Sequence, residues 1–527
     1  MKKVAANLKH FGELDPLIAD YEAKIAARDE EISILREQVK SLKDHLFGRK
    51  SEKLHDEVAA NQPSLFELDQ PEDLDEGERS EEPEEQIVTK PKKRGRKKLP
   101  DWLPRERVIH DLLDKDKICE CGCEKTHIGD ESSEVLERIP AKCFVVQHVR
   151  PKYVCENADC DLALRGKSTI AMAPPPARMI PKSLAGHSLL AQVLTAKFVD
   201  WLPFYRIEKQ LYREHIAVPR QSMCRWVVKV ADKLKPMWQM LLDDVKTHPY
   251  LQIDETTLQV MDEPGRENRT KSFMWVIRGG PPDRPVVIFK YHPTRKGAVA
   301  KELLDGFTGV VQTDGYEGYS FLDNERSGFT HAGCLVHVRR KFAAIIKASG
   351  KNRKKGYAEK ALALFSSLYK VERDAQKAGL SDDQLVEKRQ RDSRVIMEKL
   401  YALLLEAQDK VPPASLLGKA ISYALRQWPK LLVFLEDGRV KLDTNDVENA
   451  IRPFVVGRKN WMFAGHPDGA EASAIMYSMV ETAKATGWDP YRWFLHVFDR
   501  LPKARSEDEI RALLPNNPAI VGQGPKS

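Results

Sequence analysis

The chain has 527 residues, 42% hydrophobic and 31% charged, with a formal net charge of +7. That length exceeds one core, so several domains are expected, and the composition is that of a soluble globular protein with charged linkers. No run of about 18 apolar residues occurs, which excludes a transmembrane helix, and the start "MKKVAANLKHFGELDP" has no apolar stretch after its basic residues, which argues against a signal peptide. Most of the eight cysteines lie in one short stretch, a clustering that points to metal before disulfides in an intracellular protein.

The first predicted element is a helix. Ile18, Ile25, Ile32, Val39 and Leu46 recur at heptad spacing, with Leu35 and Leu42 between them and Tyr21 and Arg28 as weaker d residues. This seam, with charge on the other faces, predicts a coiled coil over residues 1–55 that forms a homodimer or higher multimer; a single amphipathic helix packed on its own domain is the alternative. Residues 56–105 read as a disordered linker, acidic from Glu67 to Glu85 and then basic in "KPKKRGRKK". Arg94-Gly95-Arg96 has the form of an AT-hook core, an arginine on each side of a glycine that lets the backbone lie in the minor groove. A generic phosphate-binding tail fits it equally, and either way the partner is a polyanion, which points to DNA.

Residues 106–175 are expected to hold one structural zinc. "CECGC" supplies Cys119, Cys121 and Cys123, and "CENADC" supplies Cys155 and Cys160, two knuckles separated by strand-like sequence. Zinc needs four thiolate or imidazole ligands. Cys155 and Cys160 form one pair, and Cys119 with either Cys121 or Cys123 forms the other. Cys143 is assigned to the apolar face of a strand.

Residues 176–245 read as helical. "PFYRIEKQLYREH", the turn "IAVP" and "RQSMCRWVVKVADKL" resemble a helix-turn-helix of two short helices; a plain three-helix core would look similar. In the DNA-binding reading Arg220, Gln221 and Ser222 face base edges, while Arg225 and Lys229 reach phosphates.

From residue 246 the period changes. "PYLQID", "SFMWVIRGG" and "RPVVIFKYH" read as strands, "RKGAVAKELLDGF" as a helix, "GVVQTDGY" as a fourth strand ending in Asp314, and "FTHAGCLVH" as a fifth feeding the helix "VRRKFAAII". This order is that of a ribonuclease H-like core, in which the first and fourth strands are neighbours. Asp254 and Asp314 then meet, and two close carboxylates call for a proton or a cation. Hard oxygen ligands with open positions suit Mg²⁺ or Mn²⁺, and two ions about 3.5–4 Å apart would drive a phosphodiester displacement. The third acid is Glu448 in "DTNDVENAIRPFVVGRKN", where Asn445, Glu448 and Arg452 fall on one helix face. Glu448 also fits the N3 position of a capping box with Asn445 as N-cap, and both roles can coexist. Residues 246–350 and 442–465 would form the core, 351–441 a helical insertion, and 466–527 a C-terminal helical region.

The motifs "LFGRKSEKL", "HVRPKYVC", "QTDGYEGY", "CLVHVRRKF" and "ENAIRPFVVGRKNWMFAG" resemble the DDE transposases of the bacterial insertion sequence sixty-six family over nearly the whole length. The resemblance implies a multidomain α/β protein that binds the terminal inverted repeats of a mobile element and catalyses metal-dependent strand cleavage and strand transfer. It implies a catalytic, metal-binding triad of Asp254, Asp314 and Glu448, with Cys334 and His337 supporting the site. It further implies a cytoplasmic, nucleoid-associated bacterial protein and two small accessory partners encoded by the same element. The chain departs from the family's usual "DNN" at Thr444. Two other readings compete: a dimeric zinc and helix-turn-helix regulator with an inactive nuclease fold, and a resolving or repair nuclease. All three acids are present, which favours the transposase.

Overall fold

The computed structural model describes Arg28 and residues 143–154, 170–323, 328–349 and 356–519. The coiled-coil seam apart from Arg28, the linker with Arg94 and Arg96, and Cys119, Cys121, Cys123, Cys155 and Cys160 lie outside the described residues. The described residues from 143 to 175 belong to one compact unit and those from 176 onward to another.

In the first unit β1 (Lys152–Val154) pairs antiparallel with β2 (Ile170–Met172), Tyr153 opposite Ala171. Arg150 donates from Nη1 to the Ala173 carbonyl at 3.0 Å and extends the tie. Cys143 departs from expectation: it is exposed and outside any strand, because the ladder begins only at Lys152.

The second unit opens with α1 (His187–Phe198), α2 (Phe204–Arg213) and α3 (Arg220–Lys246). Glu208 on α2 accepts the Arg220 N–H at 3.0 Å, supplying the cap that Pro219 cannot. The second helix of this pair is not short. Met223, Val227, Val230, Leu234, Met237, Leu241 and Val245 are all buried at helical spacing, so the apolar stripe carries α3 on for 27 residues. Its second half packs on the sheet, where Trp238 donates from Nε1 to the Phe289 carbonyl at 3.1 Å.

Lys197 on α1 is buried beside two aromatic faces, its Nζ 5.0 Å from the ring centres of Phe204 and of Trp461. Burial lowers its pKa to about 8. The folded state thus holds this proton more weakly than the unfolded chain does, so stability rises with pH between about 8 and the ordinary lysine value of 10.5. We expect Lys197→Met to stabilise the fold by about 2–3 kcal/mol at pH 7 and to flatten that rise. Denaturant unfolding at pH 7 and pH 10 measures both; equal stability of the two proteins at pH 7 would contradict it.

The sheet has five strands in the order β5-β4-β3-β6-β7: β3 (Tyr250–Gln259), β4 (Lys271–Gly279), β5 (Val286–His292), β6 (Gly309–Gln312) and β7 (Phe329–Ala332). Neighbours are antiparallel from β3 to β5 and parallel from β3 through β6 to β7. The first strand does not stop at Asp254. It continues to Gln259 because Thr256, Thr257 and Leu258 stay paired with β4, which leaves Asp254 in mid-strand. The fourth strand stops at Gln312, where its partner β7 ends, so Asp314 lies two residues beyond it.

The remaining helices are α4 (Gly297–Leu303), α5 (Leu335–Ser349), α6 (Tyr357–Lys377), α7 (Asp382–Lys388), α8 (Arg394–Lys410), α9 (Leu416–Leu431), α10 (Asn445–Trp461), α11 (Pro467–Ala485), α12 (Pro490–Arg500) and α13 (Glu507–Arg511). Helices α5, α6, α8 and α9 share one apolar core, and α1, α3, α10, α11 and α12 share another with the sheet. The exposed edge of β5 is closed by α11: Ser478 and Thr482 accept the N–H groups of Phe289 and Val287 at 2.8 and 3.0 Å. Among the described residues no helix is long and apolar enough to cross a membrane.

Candidate active site

Two short runs with the same spacing build the site. Gln252-Ile253-Asp254 lies on β3 and Gln312-Thr313-Asp314 at the end of β6. In the parallel register Gln252 is opposite Gln312. Asp254 follows two residues later on β3 and Asp314 two residues past the end of β6, and the Asp314 charge acts on Asp254. Gly309 makes this register possible. A Cβ there would lie 2.4 Å from the Pro249 carbonyl oxygen, and its φ of +141° suits only glycine.

Asp254 receives the Glu255 N–H on Oδ1 at 2.8 Å, and Asp314 receives the Tyr316 N–H on Oδ1 at 2.9 Å. Burial raises the Asp254 pKa well above the usual carboxylate range, and the charges of Glu255, Asp314 and Glu448 push it the same way. The three sequence-predicted acids are therefore near enough to repel.

Glu448 comes from α10, but not through a capping box. The N-cap is Thr444 rather than Asn445; Asn445 is the first helical residue and Glu448 the fourth. The Asn445 N–H is taken by Asp443 Oδ1 at 3.1 Å, so Glu448 has no cap to close. Its buried carboxylate instead accepts from Arg340 Nη2 at 3.1 Å and from the Thr444 hydroxyl at 3.2 Å, with His337 Nε2 at 3.9 Å. Arg340 and His337 stand on α5, one turn apart, with Cys334 just before it. Burial opposes a charged His337, but Cys334 and Glu448 outweigh it and push the imidazole up to about 9. Thr444 is thus in contact with the third acid.

A fourth carboxylate was not anticipated from the sequence. The Glu255 side chain, 1% exposed, is bound by Arg295 and by the Tyr319 hydroxyl, and the Arg295 guanidinium stacks 3.7 Å from the centre of the Tyr316 ring. Burial raises its pKa, and Asp314 adds to this against the pull of Tyr319 and Arg295. The adjacent pair Asp254-Glu255 was the available signal, two acids side by side in one strand.

Among the described residues no group of three His, Cys, Asp or Glu side chains has its donors gathered closely enough to hold a metal ion. The donor set still fits a hard divalent cation in kind. It consists of carboxylate oxygens, and the Asp254 carboxylate sits among like charges with one N–H donor to offset them.

Of the other predicted residues, Asn445 and Arg452 are half-buried on α10. On α3, Arg220, Gln221, Arg225 and Lys229 are exposed and Ser222 is half-buried.

Comparisons with known proteins agree with this layout. Residues 182–472, which contain the whole site, match the family model described as the Transposase IS66 family. Residues 116–157 match the zinc-finger binding domain of transposase IS66, a span that ends before Cys160. Residues 34–108 match the model described as transposase C of IS166 homeodomain, and 478–516 match the IS66 C-terminal element. Two uncharacterized proteins of Sinorhizobium fredii are similar along most of their length. One, y4jD, is 32% identical over 80% of this chain and 81% of its own; the other, y4qI, is 31% identical over 99% and 96%. With Asp254 on β3, Asp314 just past β6 and Glu448 on α10 all inside the matched region, and the zinc-finger and C-terminal elements flanking it in order, the chain belongs to the IS66 family of transposases.

Proposed function

We propose that this chain binds the terminal inverted repeats of an insertion sequence and catalyses metal-dependent cleavage and transfer of DNA strands on a ribonuclease H-like core. The observation that carries the reading is that Asp254 and Asp314 each lie two residues beyond the paired Gln252 and Gln312, with the charges of Asp314 and Glu448 both acting on Asp254. Asp254, Asp314 and Glu448 would hold one or two Mg²⁺ or Mn²⁺ ions, which when bound supply Lewis-acid stabilisation of phosphoryl oxygens and an activated water or 3′-hydroxyl. Thr444 and Arg340 orient the Glu448 carboxylate. Glu255 and Tyr316 hold the Arg295 guanidinium, on which the Asp314 charge acts, and it would meet a phosphate there.

DNA binding is assigned to the other modules. Arg220, Gln221, Arg225 and Lys229 on the exposed side of α3 would read an element end, and Arg94 and Arg96 would add minor-groove or phosphate contacts. Residues 1–55 would bring copies together as a coiled coil. The test is a labelled element end incubated with the protein. Retention in a gel without metal, and strand cleavage once Mg²⁺ is added, are the expected results; retention without cleavage in any divalent metal would favour the DNA-binding regulator instead. One observation leans that way, the ion pair that Arg340 already makes with Glu448.

For residues 106–175 we expect one zinc per chain, held by four of Cys119, Cys121, Cys123, Cys155 and Cys160. Metal analysis of the purified protein measures this. Removal of the zinc by chelation should weaken end binding, and a protein that binds ends at full strength without zinc would separate the module from recognition.

A further inference from the structure

Two buried glutamines lie two residues before the two aspartates. Gln252 is 1% exposed and Gln312 is 0% exposed. A buried amide must be satisfied, and these two bond to each other, to Gly333 and to the segment that carries the third acid. Gln252 Oε1 accepts the Val447 N–H at 3.0 Å, and its Nε2 donates to the Asp443 carbonyl at 3.0 Å and to Gln312 Oε1 at 3.0 Å. Gln312 Nε2 donates to the Lys441 carbonyl at 2.7 Å and to the Gly333 carbonyl at 3.0 Å. The Tyr250 hydroxyl completes the network by donating to Gln312 Oε1 at 2.6 Å.

Val447 is the third helical residue of α10, so its N–H belongs to the first turn and has no partner within the helix. Gln252 therefore caps α10 from the sheet. Farther along, Arg458 donates to the hydroxyls of Thr256 and Thr257 at 3.1 Å, and Ala464 donates to the Gln259 carbonyl at 2.9 Å. The helix is fastened along β3; its first turn is held by Gln252 and by the Arg278–Asp446 ion pair, and Gln312 holds the lead-in at Lys441.

We propose that Gln252 and Gln312 are positioning residues that set the place of Glu448 relative to Asp254 and Asp314. This rests on the reading of those three as the catalytic acids. A displacement of about 1 Å in such a group is enough to cost roughly 10²-fold in rate.

The test uses the full-length protein with Gln252→Met and Gln312→Met, which keep the volume and remove the amide. Amide exchange of residues 444–449, followed by mass spectrometry, should be at least about tenfold faster, with protection elsewhere in the sheet unchanged. Cleavage of a labelled end at saturating DNA should be about 10²-fold slower, with half-saturation unchanged. A purely structural role would lower protection throughout and would not single out this turn. Wild-type exchange at 444–449, or faster exchange with wild-type cleavage, would overturn the proposal. If Gln252→Met does not fold, Gln252→Asn keeps a buried amide one methylene short of the Val447 N–H and carries the same test. Glu448→Gln run alongside separates the two ideas: if it cleaves like wild type, the catalytic reading fails, whereas the exchange result still judges the tether.

Discussion

Glu448→Gln is expected to lower strand cleavage by at least about 10³-fold, beyond the ~10–100-fold typical of changes in groups around a metal's direct ligands, while binding to element ends persists. The substitution removes one negative charge and little volume. A neutral amide is a poor partner for Mg²⁺, so the loss falls on chemistry. Capping cannot explain such a loss, because Glu448 is the fourth helical residue and closes no capping box. The competing explanation is an ion pair with Arg340, which is 13% exposed on its side chain. Breaking a buried pair is destabilising, commonly by about 3–5 kcal/mol, and less here because the glutamine oxygen still accepts from Arg340. Glu448→Gln should therefore also melt at a lower temperature. Thermal melting and single-turnover cleavage on the same preparation separate the two effects. Full cleavage by a folded Glu448→Gln would leave Glu448 with only its Arg340 pairing to explain it.

Asp254→Asn should share the cleavage phenotype and show the opposite effect on stability. Burial and three neighbouring carboxylates all work against the Asp254 charge. Removing that charge relieves both penalties, so without divalent metal the variant is expected to melt at least about 2 °C above wild type. Added Mg²⁺ should stabilise wild type and leave Asp254→Asn unaffected, which narrows or reverses the gap. Combining Asp254→Asn with Glu448→Gln should cost no more cleavage than either alone, since residues that act as one unit are not additive. Melting curves in chelator and in Mg²⁺ decide the matter. An Asp254→Asn protein less stable than wild type in chelator would mean that the aspartate is structurally required rather than tolerated for function.

The two stability signs differ because the two acids have different neighbours, and those neighbours are far apart in sequence. Arg340 and Glu448 are separated by 108 residues, and Gln252 and Val447 by 195. Local patterns could not show these pairs. They did show the elements themselves: alternation in "LQID", the apolar run of "VVIF" and helical spacing in "VENAIRPFVV" depend on side chains within a few residues of one another. Where a local pattern ran on, the reading stopped too soon, as in α3, whose apolar stripe continues to Val245. Asn445 has a capping side chain and fits a capping box locally, but Asp443 takes its N–H and the N-cap is Thr444.

By itself the sequence offered Asp254, Asp314 and Glu448 as candidates for the chemistry, because they stand in short motifs whose strand and helix character is local. Only the tertiary structure decided how they stand. The parallel register that sets Gln252 against Gln312, the sheet-borne cap on α10, the Arg340 hold on Glu448 and the enclosure of Glu255 by Arg295 and Tyr319 all arise from contacts between distant segments. Such contacts form only when the chain has closed its long loops around a common core, and no short-range periodicity encodes them.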